Sequence, residues 1–130
     1  MAKWVNSNVL DSGPNYIKTQ ATTLVKMMVI KAYTAGDSYA TVTGNNCGEV
    51  TMANGDFVFS SSGSNRVMTT AAGKSATASA NSGASPDLHI AFTDGSANVL
   101  WVTDETSNQV ITSGNTINFP QLTYTSNQPT

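Results

Sequence analysis

The chain has 130 residues and a net charge of −2, and only 11% of its residues are charged, less than half the usual share of about 25%. Its six basic residues, Lys3, Lys18, Lys26, Lys31, Arg66 and Lys74, are dispersed, which argues against a nucleic acid partner, because phosphate binding needs clustered cations. Thr, Ser and Asn fill more than a third of the chain and supply the polar surface instead. The length fits one domain with one real core. Cys47 is the only cysteine, so neither an intrachain disulfide nor a Cys-based metal site is expected, and a reducing cytosol suits it. No apolar stretch of signal-peptide type opens the sequence. The longest apolar run, Met27-Met28-Val29-Ile30, is far short of the roughly 20 residues of a membrane span.

Residues 1–23 show no clean period. Trp4, Val5, Val9, Leu10, Tyr16 and Ile17 are separated by Asn, Ser and a Gly13-Pro14 turn signal. Two readings stand side by side. In one, this is an arm lying against a surface, with a short edge strand near Trp4. In the other, the apolar groups complete the domain's own core.

Residues 24–130 read as a single β domain. Leu24 to Lys31 is a strand of nearly continuous apolarity, which predicts burial on both faces. Asp37 to Gly44 predicts a short helix capped by Asp or Ser and stopped by Gly44. A strand reading, with Tyr39, Thr41 and Thr43 on one face, competes with it. Glu49–Met52 and Phe57–Ser60 are strand candidates around an Asn54-Gly55 turn, a dipeptide suited to positive φ. Ser61 to Asn65 reads as a flexible loop. Arg66–Ala71 and Ser75–Ala80 flank Gly73-Lys74 and suggest a hairpin. Its second strand is all small residues, hence thin, and belongs at an edge or against close-packed neighbours. Asn81 to Pro86 is a second loop.

The last third carries five runs of β-branched and aromatic residues, at 88–93, 99–103, 109–112, 116–119 and 122–125. Their spacing predicts consecutive antiparallel strands joined by tight turns. Leu88, Ile90 and Phe92 share one face of the first run; His89, Ala91 and Thr93 share the other. The return strand, Val99 to Thr103, is apolar on both sides, which predicts a central position. Eight or nine short strands with this spacing predict an all-β fold, an antiparallel β-sandwich or jelly roll with an N-terminal arm. No helix of ten or more residues is expected.

The ionisable inventory is thin. His89, the only histidine, reads as a surface or subunit-contact residue; as a general base it needs an oriented nucleophile within reach. Asp104-Glu105, with Asp87 and Asp94 near in sequence, could serve glycoside hydrolysis or bind a hard cation such as Ca²⁺. The stronger reading is a turn in which Asp and Asn bond back to local N–H groups. Gly73-Lys74 lacks the spaced glycine of a phosphate loop. Trp4, Trp101, Tyr16, Tyr33, Tyr39 and Tyr124 are candidates for stacking on sugars. Trp101 has core-like neighbours, and Trp4 is the better exposed contact. The residues predict no enzyme, no catalytic set, no cofactor and no metal.

Four segments together carry a resemblance: residues 1–13 (MAKWVNSNVLDSG), 31–39 (KAYTAGDSY), 100–109 (LWVTDETSNQ) and 116–120 (TINFP). In texture and phrasing they resemble structural proteins of tailed bacteriophages, most of all capsid cement (decoration) proteins. The resemblance implies a β-rich protein bound in many copies to the capsid exterior of the virion, made in the host cytoplasm. Its expected partner is the major capsid protein, whose neighbouring subunits it bridges. A homo-oligomer, dimer or trimer, is also implied, with no nucleic acid and no membrane. Residues 1–20 are then the contact arm. A phage tail or fibre component that binds the host surface, a carbohydrate-binding module and a small hydrolase are the competing expectations.

Overall fold

In the computed structural model, which describes residues 3–129, nine strands form three antiparallel sheets accompanied by two helices. The fold is all-β and sandwich-like. The first sheet has the order β2 (Asn46–Met52), β1 (Val25–Ile30), β6 (His89–Thr93), β7 (Val99–Asp104). The second runs β3 (Phe57–Ser62), β4 (Asn65–Thr70), β9 (Thr123–Ser126), and a small ribbon pairs β5 (Ser75–Thr77) with β8 (Thr116–Asn118).

The continuous apolarity of β1 has the expected cause. Val25, Met27 and Val29 join the main core with Ile90, Phe92, Met52, Phe57 and Met68. Met28 and Ile30 point the other way and meet Ala91 and Val42. Val42 belongs to helix α2 (Tyr39–Gly44), whose cap is Ser38: its Oγ accepts a hydrogen bond from the Thr41 N–H at 3.2 Å. The short-helix reading of this segment therefore holds. Each fully buried aliphatic side chain of β1 and β6 contributes roughly 1.5–3 kcal/mol of burial free energy.

Several connections differ from the sequence reading. β2 and β3 are not a hairpin; they belong to different sheets. Asn54–Asp56 is a 3-10 turn, and neither Asn54 nor Gly55 has positive φ. Asp56 closes this turn by accepting from the Ala53 N–H and pairing with Lys74 at 2.7 Å. Burial works against the charge on Asp56. The Lys74 and Ala53 hydrogen bonds outweigh it and hold the carboxyl below the usual range. The true hairpin is β3–β4. Its two-residue connection puts positive φ on Gly63, at 61°, as a type II′ turn requires. What reads as a flexible loop is thus a tight turn. β4 pairs with β3 and β9, and β5 with β8, so the Gly73-Lys74 hairpin does not form.

β5 is the thin strand its composition predicts, and close packing explains it. It lies near β2 at Gly48, where a Cβ would sit 2.5 Å from Ile117 Cδ1 and 3.4 Å from the Thr77 carbonyl oxygen. Cys47, beside Gly48, is fully buried, and burial pushes its thiol pKa up against a smaller opposing effect of Lys31.

The last third is β but not one meander. β6 and β7 form the predicted hairpin, whose turn is organised by Asp94: one carboxylate oxygen accepts from the N–H groups of Ser96, Ala97 and Asn98. β7 is an edge strand, not a central one. It is apolar on both sides because Leu100 and Trp101 meet the main core while Val99 and Val102 meet the smaller cluster. Residues 109–112 form no strand. Ile111 is buried, and its backbone is tied to Ser82 in the second loop. β8 and β9 go to two further sheets.

Candidate functional site

The N-terminal segment is the largest departure from expectation. Ser7–Gln20 is a 14-residue helix, α1, with Pro14 inside it. Leu10, Pro14 and Ile17 are buried and Ala21 half-buried, a stripe spaced by four, three and four residues, as one helix face demands. Pro14 has no N–H for the Leu10 carbonyl, and a helix-interior proline costs about 3 kcal/mol. Tertiary contacts must offset this. α1 packs against β4, β9 and the 3-10 turn. Near its start, Asp11 accepts two hydrogen bonds from Arg66, at 2.9 and 3.1 Å, the bidentate geometry of strong charge-assisted pairs. Near its end, Lys18 Nζ donates to the carbonyls of Phe57 (2.6 Å) and Asn54 (2.9 Å), and Asn54 donates back to the Lys18 carbonyl.

Ahead of the helix the chain is held by an amide clamp. Gln128 accepts from the Val5 N–H at 2.8 Å and donates to the Val5 carbonyl at 2.9 Å. The same side chain donates to the Ser64 carbonyl, and the Gln128 N–H donates to Asn65 Oδ1. Residue 5 is thereby fixed beside the β3–β4 turn.

The six residues expected to bind a partner divide accordingly. Leu10 and Ile17 are buried in the protein's own core. Val5 is half-buried, and the side chain of Val9 lies outside the described residues. Trp4 is 72% exposed and Tyr16 57% exposed. The burial of Leu10 and Ile17 fits the core-completing reading, and Trp4 and Tyr16 are the well-exposed members of the set. The buried stripe is the signal that finds α1 in the sequence; the Gly13-Pro14 turn signature masks it.

A second surface has no counterpart among the sequence expectations. The register of β3, β4 and β9 puts Val58, Ser60, Ser62, Asn65, Val67, Thr69, Thr123 and Thr125 on the sheet face opposite buried Phe57 and Met68. Not one of the eight carries a charge.

The alternative reading of Asp104 and Glu105 as a working carboxylate pair is not met. The Asp104 side chain is 63% exposed, whereas Glu105 is buried and both its oxygens accept from Ser107, through the N–H and the hydroxyl. Asn108, at φ 46°, caps the neighbouring strand by accepting from the Leu88 N–H. This is the turn the sequence favours. Asp94 is committed to its own turn, where the N–H groups of Ala97 and Asn98 hold its carboxyl well below the usual range. Trp101 stacks on Phe92 at 4.8 Å and meets Tyr124 edge-on at 5.4 Å. It bridges the two sheets. His89 instead sits beside the Tyr33 ring, 5.7 Å away, and near Asp104. Among the described residues no helix is long and apolar enough to cross a membrane. No protein-family model, curated protein or solved structure matches this chain.

Proposed function

We propose that this chain is a capsid decoration protein of a tailed bacteriophage, which binds the outside of the shell and bridges neighbouring major capsid protein subunits. The observation that carries the reading is the exposure of Trp4 and Tyr16 on a segment that is otherwise tightly fastened to the body. Exposed aromatic side chains on a rigid support make effective anchors, because little conformational freedom is lost when they dock. A bridge resists the outward pressure of packaged DNA by adding buried area across a subunit joint. Many copies act together, so each contact can be modest. The uncharged face of the second sheet, mostly Ser and Thr around Val58 and Val67, suits wet, hydrogen-bonded contact with the shell or with further copies in a dimer or trimer.

Deleting residues 1–20 is a poor test, since it strips Leu10 and Ile17 from the core. The double variant Trp4→Ala/Tyr16→Ala removes only exposed groups. It should keep its melting temperature and lose most of its co-sedimentation with purified heads. Unchanged co-sedimentation removes these two residues from the contact. Virion mass spectrometry at a few copies per particle, in place of hundreds, would turn the reading towards a tail component.

A further inference from the structure

We propose that Asp87, His89 and Asp104 form a binding site for a first-row divalent transition ion such as Zn²⁺. His89 opens β6 and stands directly opposite Asp104, the last residue of β7, in the antiparallel register. Asp87 precedes His89 by two residues. One ligand atom from each side chain, an imidazole nitrogen and two carboxylate oxygens, lies within 4.8 Å of the others.

The histidine supplies the argument that two carboxylates alone would not. His89 Nδ1 lies 3.2 Å from the Asp87 carbonyl oxygen. A carbonyl only accepts, so this bond places the proton on Nδ1 and, in the neutral ring, leaves the lone pair on Nε2. Nε2 faces Asp104 Oδ1 at 3.9 Å. With the ring neutral, two acceptors face each other 3.9 Å apart, a distance that a shared cation can span. Orientation of a ligating imidazole by a backbone carbonyl on its far nitrogen is the usual outer support of a metal-bound histidine.

The spacing is close to what coordination needs. Two ligands each about 2.1 Å from an ion stand at most about 4.2 Å apart. The His89–Asp104 separation already satisfies this. Asp87 is exposed and can close the remainder by rotating its side chain. The Tyr33 ring lies beside the imidazole, tilted by 51°, and the His89 side chain keeps 18% of its surface exposed. One imidazole with two carboxylates favours a transition ion over Mg²⁺ or Ca²⁺, which prefer all-oxygen sets. Water would fill the remaining positions. A bound ion would tie the segment before β6 to the end of the edge strand β7. None of this depends on the capsid reading.

Isothermal titration of the full chain with ZnCl₂ tests the site, with MgCl₂ as the control. One equivalent of Zn²⁺ per chain should bind, the melting temperature should rise by several degrees at saturation, and Mg²⁺ should do neither. His89→Gln and Asp104→Asn should each weaken binding at least tenfold. Asp104 is exposed, so its variant tests the site even where His89→Gln compromises folding. Co²⁺ should give visible absorption bands that Asp104→Asn abolishes. Zinc binding that Asp104→Asn leaves unchanged overturns the proposal, as does the absence of binding heat, which would leave a simple ion pair between protonated His89 and Asp104.

Discussion

Strands β1 and β6 and helix α1 are held in place by opposite means. The two strands are buried on both faces, and most of the side chains they carry are apolar. Their position follows from area removed from water. α1 contributes only a narrow stripe, contains Gly13 and Pro14, and depends on the Asp11–Arg66 ion pair near its start and on side-chain-to-carbonyl bonds near its end. One region is placed by its own composition and the other by what it lands on. The energy that defines a fold and the energy that defines an accessory surface therefore need not come from the same kind of contact.

The largest effect should come from the strands. Phe92→Ala removes a fully buried ring that touches Phe57 and Trp101. It should cost about 3–5 kcal/mol in urea denaturation. A loss below about 1 kcal/mol would show that the core is not centred on β6. Ile17→Ala should cost less, about 2 kcal/mol, the low end for such a truncation, because a peripheral helix can settle into the space. Its signature is distribution. Hydrogen exchange should speed up through α1 while β1 and β6 stay protected. Equal loss of protection in both regions would break the contrast between them.

Pro14→Ala should act in the opposite direction. It restores a donor for the Leu10 carbonyl and loses some buried ring surface, for a net gain of about 1 kcal/mol. A loss of stability would mean that packing of the ring, and not the backbone, dominates at that position. The smallest effect is read as a slope. The Asp94 carboxyl is held below its ordinary range in the folded state by local N–H donors. Its contribution is fully present above the unfolded value of about 3.9 and is lost as pH falls through the lower folded value. Asp56 adds to the same acid limb. Asp94→Asn should therefore lose less stability below about pH 4 than the parent chain. An unchanged acid limb would assign the whole slope to other carboxylates.

Legibility in the sequence follows the same division. The double burial of β1, the Ser38 cap, the β6–β7 hairpin and the Asp104-Glu105 turn are local or periodic signals, and each can be read along the chain alone. Partner choice among strands is not local. β8 and β9 read correctly as strands near 116–119 and 122–125, yet they cross to different sheets. Ile111 has the composition of a strand residue and finds its hydrogen bonds in a loop instead. In the candidate contact segment, Trp4 and Tyr16 are singled out by residue type, but their separation from Leu10 and Ile17 becomes visible only when the helical period is imposed. The Asp87–His89–Asp104 cluster depends on cross-strand register, which spacing along the chain does not reveal.

Cys47 gives the molecule a built-in clock. It is the sole thiol, it is fully covered where the β5–β8 ribbon lies against β2, and its raised pKa leaves it mostly protonated at neutral pH. An alkylating reagent can reach it only when the packing around β2 opens, and reacts with the thiolate form. The labelling rate of the folded protein thus counts openings of the core around that strand, without any probe being added.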